Sequence, residues 1–81
     1  MIRLRYFGKM GDRAGLTEET LDLPRDALTE VGLRAWMERR YGGGDWQDGS
    51  VRLAIDGVIG TWPDEPSQMR EVCFLPPVSG G

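Results

Sequence analysis

Short stretches in which apolar and polar residues alternate recur on both sides of one stretch whose apolar residues fall three and four apart. That succession limits the chain to a small sheet with a helix laid across it. In Met1-Ile2-Arg3-Leu4-Arg5-Tyr6-Phe7, alternation puts Ile2, Leu4 and Tyr6 on one face of a strand and Arg3, Arg5 and Phe7 on the other. A polar, glycine-marked stretch from Gly8 to Thr17 reads as a turn. Glu18 to Leu23 then alternates again until Pro24, giving a second strand antiparallel to the first. Thr29 can cap a helix from about Glu30 to Tyr41, in which Leu33, Trp36, Met37 and Tyr41 share a face and Gly42-Gly43-Gly44 is the stop. Gly32 lowers helix propensity there, and a start as early as Asp26 also suits the pattern.

Val51 to Ile55 alternates once more, Asp56-Gly57 is a favoured two-residue hairpin turn, and Val58-Ile59 makes a short fourth strand. Thr61 to Arg70, with Pro63 and Pro66, reads as a loop. Glu71-Val72-Cys73-Phe74-Leu75 is a last strand halted by Pro76-Pro77. The fold class is therefore α+β in the order ββαβββ, a mixed sheet with one main helix on one face. The first and last strands lie side by side in its middle. With 81 residues, this is one domain, of which residues 76–81 form an extended tail.

Composition narrows the chemistry. There is no histidine and a single cysteine, Cys73, so a disulfide within the chain and a zinc site of Cys/His type are excluded, and Ser-His and Cys-His pairs are absent. A reducing cytoplasm suits such a chain. Ten Lys and Arg against thirteen Asp and Glu leave a net charge of −3, with no basic stripe for nucleic acid. The first residues carry no continuous apolar run of the kind a signal peptide or membrane span needs. A domain this small has a thin core and no depth for a private active site, which points to a surface or a tail.

The ending Pro76-Pro77-Val78-Ser79-Gly80-Gly81 has a mechanical reading if its terminal carboxylate is the reacting group. Proline stiffens the exit from the sheet and favours an extended course. Two glycines make the tip thin enough to thread a narrow channel.

These residues, with Ile2-Arg3-Leu4-Arg5-Tyr6-Phe7-Gly8, Gly11-Asp12-Arg13-Ala14-Gly15, Asp56-Gly57 and Val72-Cys73-Phe74-Leu75, resemble the ubiquitin-like sulfur carriers, most closely the MoaD family of molybdopterin synthase small subunits. Two places depart from that family. Met69-Arg70-Glu71 stands where a Gly-Asp-Glu is common, and Glu30-Val31 reverses the usual order at the helix start.

The resemblance implies a ubiquitin-like β-grasp fold. It implies that Gly81 is adenylated by an ATP-using enzyme similar to ubiquitin-activating enzymes and then converted to a thiocarboxylate. Pro76, Pro77, Val78, Ser79 and Gly80 would thread the partner's active site. The partner would be the large subunit of molybdopterin synthase, in a heterotetramer of two small and two large subunits, and dithiolene formation in molybdopterin would be the reaction. This chain would bind no cofactor or metal itself; ATP belongs to the activating enzyme.

Phe7 and Leu75 fall on the polar faces of their strands, and with Ile59 they are the candidates for contact with those partners. Cys73, inside an apolar strand, reads as a packing residue. Gly42-Gly43-Gly44-Asp45 lacks the Lys-Ser or Lys-Thr of a phosphate loop and reads as a helix stop. Asp45, Asp48, Asp64 and Glu65 read as solvated loop charges, and Trp36, Trp46 and Trp62 as packing residues. Arg3, Arg5, Lys9 and Arg13 suit a charged solvent face or the steering of an acidic partner. Arg39-Arg40 complements the helix dipole. A sulfur carrier for thiamine, cysteine or tRNA thiolation, a protein modifier joined through Gly81, and a plain interaction module remain the competing readings.

Overall fold

The computed structural model describes residues 1–77. Five strands, β1 (Ile2–Tyr6), β2 (Glu18–Leu21), β3 (Arg52–Ile55), β4 (Val58–Ile59) and β5 (Glu71–Leu75), form one sheet in the order β2-β1-β5-β3-β4. The two central strands, β1 and β5, run parallel, while β1–β2, β3–β5 and β3–β4 are antiparallel. The sequence expectation of a mixed sheet with the first and last strands adjacent therefore holds.

Alternation fixes the two faces. Ile2, Leu4, Tyr6, Val72, Phe74, Leu53 and Ile55 point inward and are buried, each on the face predicted from its neighbours. The main helix, α2 (Glu30–Tyr41), closes that face with Leu33 and Met37, flanked by the partly buried Trp36 and Tyr41. Trp46, in the connection after α2, completes the core: its ring meets Phe74 at 5.3 Å and Tyr6 at 5.6 Å, both edge-on. Such pairs add about 0.5–1.5 kcal/mol each beyond the area they bury.

The helix begins where Thr29 predicts it. Thr29 Oγ1 accepts the Gly32 N–H at 3.0 Å, and the residues before it, Arg25–Ala27, form a 3-10 turn in place of an earlier helix start. Gly32 is there because a Cβ at that position would lie 1.8 Å from the Asp26 carbonyl oxygen.

Between β1 and β2 the structure corrects the expected turn. Lys9–Ala14 forms a second helix, α1. Six residues with a central Gly11 have too little intrinsic propensity to show in a pattern. Tertiary contact holds the helix: Met10 is fully buried, and Gly15, at φ 78, caps the end by donating to the Gly11 carbonyl at 2.8 Å. The expected loop from Thr61 to Arg70 likewise contains a 3-10 turn, Pro66–Gln68, and buries Met69.

Asp56 and Gly57, at φ 48 and 87, make the β3–β4 turn. Asp56 has a second task that its sequence position does not reveal. Its Oδ1 accepts the backbone N–H of Arg70 at 3.0 Å and of Glu71 at 2.9 Å, pinning the start of β5. The unusual Met69-Arg70-Glu71 segment is thus held by the buried Met69 side chain, the two bonds to Asp56 Oδ1, and backbone bonds from Arg3 N–H to the Arg70 carbonyl and from Asp56 N–H to the Glu71 carbonyl.

Candidate functional site

Helices cover one face of the sheet; the other carries the expected contact residues. Register sets their arrangement. Arg5, Cys73, Ala54 and Ile59 form one row across β1, β5, β3 and β4, and Leu75 and Arg52 pair in the row next along. Phe7, one residue past β1, continues that second row: its N–H donates to the Phe74 carbonyl at 3.2 Å, and Arg5 stacks on its ring at 5.1 Å. Phe7, Leu75 and Ile59 therefore share one side, on which strand phase had placed Phe7 and Leu75. Phe7 is 38% exposed, Ile59 56%, and Leu75 half-buried.

Val58, 55% exposed, pairs with the inward-facing Ile55 and so lies on the helix side of the edge strand, opposite to Ile59. Toward β2 the open face turns polar. Arg3 and Arg5 lie 3.6 and 3.9 Å from the Glu71 carboxylate, and Arg5 lies 3.9 Å from Glu18. These exposed pairs organise charge and add little stability.

The exit lies at the end of β5. Pro76 is half-buried and Pro77 exposed. Val78, Ser79, Gly80 and Gly81, on which the sequence reading places the chemistry, lie outside the described residues. Among the described residues no group of three His, Cys, Asp or Glu side chains is arranged to hold a metal ion, and no helix is long and apolar enough to cross a membrane.

Cys73 is nearly covered, and its Sγ donates to Glu71 Oε1 at 3.6 Å. Burial pushes the thiol up, and the Glu71 charge and hydrogen bond push it the same way, against Arg5. The thiolate a carrier cysteine needs is disfavoured, consistent with a packing role.

Asp45 is not a free loop charge: Arg13 Nε reaches its carboxylate at 2.7 Å and Lys9 Nζ at 3.5 Å, and the Arg13 hydrogen bond leads in lowering its acidity range. Gly43, at φ 96, lets Arg13 cross, since a Cβ there would meet Arg13 Cδ at 2.9 Å. Asp48 Oδ1 accepts the Ser50 N–H at 2.8 Å. Glu65 takes a bond from Gln68, while Asp64 is exposed. Arg40 does more than complement a helix end, stacking on Trp36 and Tyr41 and pairing with Glu19 at 3.2 Å.

No family model and no curated protein matches the chain. A solved structure does: molybdopterin converting factor, subunit 1, from Pyrococcus furiosus, at 24% identity, 95% of this chain and 97% of that one, with a TM-score of 0.62. The chain has the β-grasp fold. In this β-grasp domain the strand that leads to Pro76-Pro77 is central and parallel to β1.

Proposed function

We propose that the chain is a sulfur carrier and the small subunit of a molybdopterin synthase, working in the cytoplasm. One observation carries the reading: in a β-grasp domain similar to a molybdopterin converting factor subunit 1, the central strand ends in Pro76-Pro77 and the sequence runs on through Val78 and Ser79 to Gly80-Gly81.

A carboxylate is a poor electrophile at neutral pH. An ATP-using activating enzyme would therefore let the Gly81 carboxylate attack the α-phosphate, releasing pyrophosphate and leaving an acyl-adenylate. A sulfide nucleophile then displaces AMP, and Gly81 carries a thiocarboxylate. The domain's contribution is binding remote from the reacting atom, which holds the tail in place while the large subunit supplies the catalytic side chains. Each tail delivers one sulfur, so a dithiolene takes two carriers, in keeping with two small and two large subunits. The face bearing Phe7, Ile59 and Leu75 docks the partners, and its exposed apolar side chains on so small a domain support that assignment.

Intact-mass spectrometry tests the reading. The full chain and a form lacking Gly81 are incubated with ATP, a sulfide source and a matching activating enzyme. Exchange of one oxygen for sulfur in the full chain alone is expected. No change in either form, while an authentic carrier reacts in the same tube, overturns it. Sulfur gain without transfer to a pterin by any large subunit points instead to thiamine, cysteine or tRNA thiolation, and adducts on lysines to a protein modifier.

A further inference from the structure

The two central strands end level with each other in an unusual way. Extending the register Tyr6 to Phe74 by two residues sets Gly8 opposite Pro76. At that level β5 loses its N–H donor, because proline has none, and β1 turns away at Gly8 with φ 52 and ψ −133. That is the mirror image of an extended conformation, open to glycine and strained for residues with a Cβ. A Cβ built on Gly8 would stand 3.0 Å from Pro76 Cγ, so the proline ring occupies the place a side chain at position 8 would take.

We infer that Gly8 is a positioning residue: it forms the seat for Pro76 and thereby sets the direction in which the reacting tail leaves the sheet. The inference rests on the sulfur-carrier reading and adds to it a residue remote in sequence from the tail. Gly81 lies five residue steps beyond Pro76, an arm of up to about 17 Å when drawn straight into a channel. A tilt of about 5° at the seat moves the tip by about 1.5 Å, and misplacement on the order of 1 Å can cost a hundredfold in rate. The seat works from both sides, since a side chain at position 8 displaces the ring and loss of the ring leaves the exit unanchored.

The test compares wild type with Gly8→Ala, Pro76→Ala and the double variant, all full-length. Thiocarboxylate formation is followed with the activating enzyme, and nuclear Overhauser contacts between Gly8 Hα and the Pro76 ring are recorded for the chain alone. In wild type the contact is present. Each single variant is expected to lose roughly ten- to a hundredfold in kcat with KM within about twofold. The double variant should be no worse than the poorer single one, because both changes act at one seat. Gly8→Ala also strains the backbone, so Pro76→Ala, which takes away the ring while restoring an N–H and freeing φ, decides the matter should Gly8→Ala fold poorly. Absence of the contact in wild type, unchanged kcat in Pro76→Ala, or strictly multiplicative losses in the double variant overturns the seat. A wild-type chain that never gains sulfur overturns the carrier reading and the positioning role with it, while the contact between Gly8 and Pro76 would still be seen.

Discussion

Gly32 occupies the third position of α2, where its N–H is held by Thr29 and its Cα faces the Asp26 carbonyl. Helix propensity alone favours alanine there by about 1 kcal/mol. Packing opposes it, because a Cβ 1.8 Å from a backbone oxygen requires the 3-10 turn to move. We expect Gly32→Ala to destabilise the domain by about 1–3 kcal/mol in a urea titration, and a stabilised variant would show that the turn is free to yield. The same scale holds a prediction for Cys73. With the thiol buried and pushed above its ordinary value of 9.0, native alkylation by iodoacetamide at pH 8 should run at least about tenfold slower than in urea-unfolded chain. Equal rates would mean that the thiol is open and the strand face around it is not packed as described.

Among the elements, β2 is an edge strand of four residues paired only with β1. Glu19 compensates. On the helix side of β2, its carboxylate accepts hydrogen bonds from Tyr6 of β1 and from Tyr41 and Arg40 of α2. Burial raises the Glu19 carboxyl, but the bonds from Tyr41, Tyr6 and Arg40 together outweigh it and hold it below its ordinary 4.5. A lowered carboxylate gives stability that is present above pH 4.5 and lost as pH falls through the folded value. Tyr6 and Tyr41 move the other way, raised by burial first and then by Glu19, so their share is present below pH 10 and lost as pH rises beyond it. Glu19→Gln should cost about 2 kcal/mol at pH 7 and flatten the acid limb of a stability profile between pH 5 and 2. Some acid loss will persist, because Arg13 lowers Asp45 and the Ser50 N–H lowers Asp48. An acid limb unchanged by the substitution would place the acid sensitivity elsewhere. This clamp also shows where sequence reading stops. Alternation places Glu19 on the inner face with Leu21, yet its partners lie 13 and 22 residues away and are met only through the fold. By contrast β1, α2 and β5 were legible, since each has a complete period of its own and a local stop. The helix α1 was not, because Met10 becomes a core residue only once the sheet exists to receive it.

Across the whole molecule the sheet separates two kinds of apolar residue: those facing α2, which hold the domain together, and those on the open face. Strand phase was enough to place Phe7 and Leu75 on the open face, whereas the side taken by Ile59 and the nearness of Gly8 to Pro76 depend on strand register, the latter between two strands more than sixty residues apart, and have no sequence signal. The two faces should respond oppositely to substitution. Phe74 is fully buried against Tyr6 and Trp46, so Phe74→Ala should cost about 3–5 kcal/mol and abolish every activity by unfolding the chain. Ile59 is more than half exposed on the edge strand β4, so Ile59→Asp should stay within about 0.5 kcal/mol of wild type in the same titration. If the open face docks the large subunit, burying that aspartate without a partner weakens the complex by tenfold or more, read by calorimetry on the two purified subunits. A folded Ile59→Asp that binds as tightly as wild type removes Ile59 from the contact. A variant that unfolds would show instead that β4 supports the core, and the open face would lose its claim to be a surface kept for a partner.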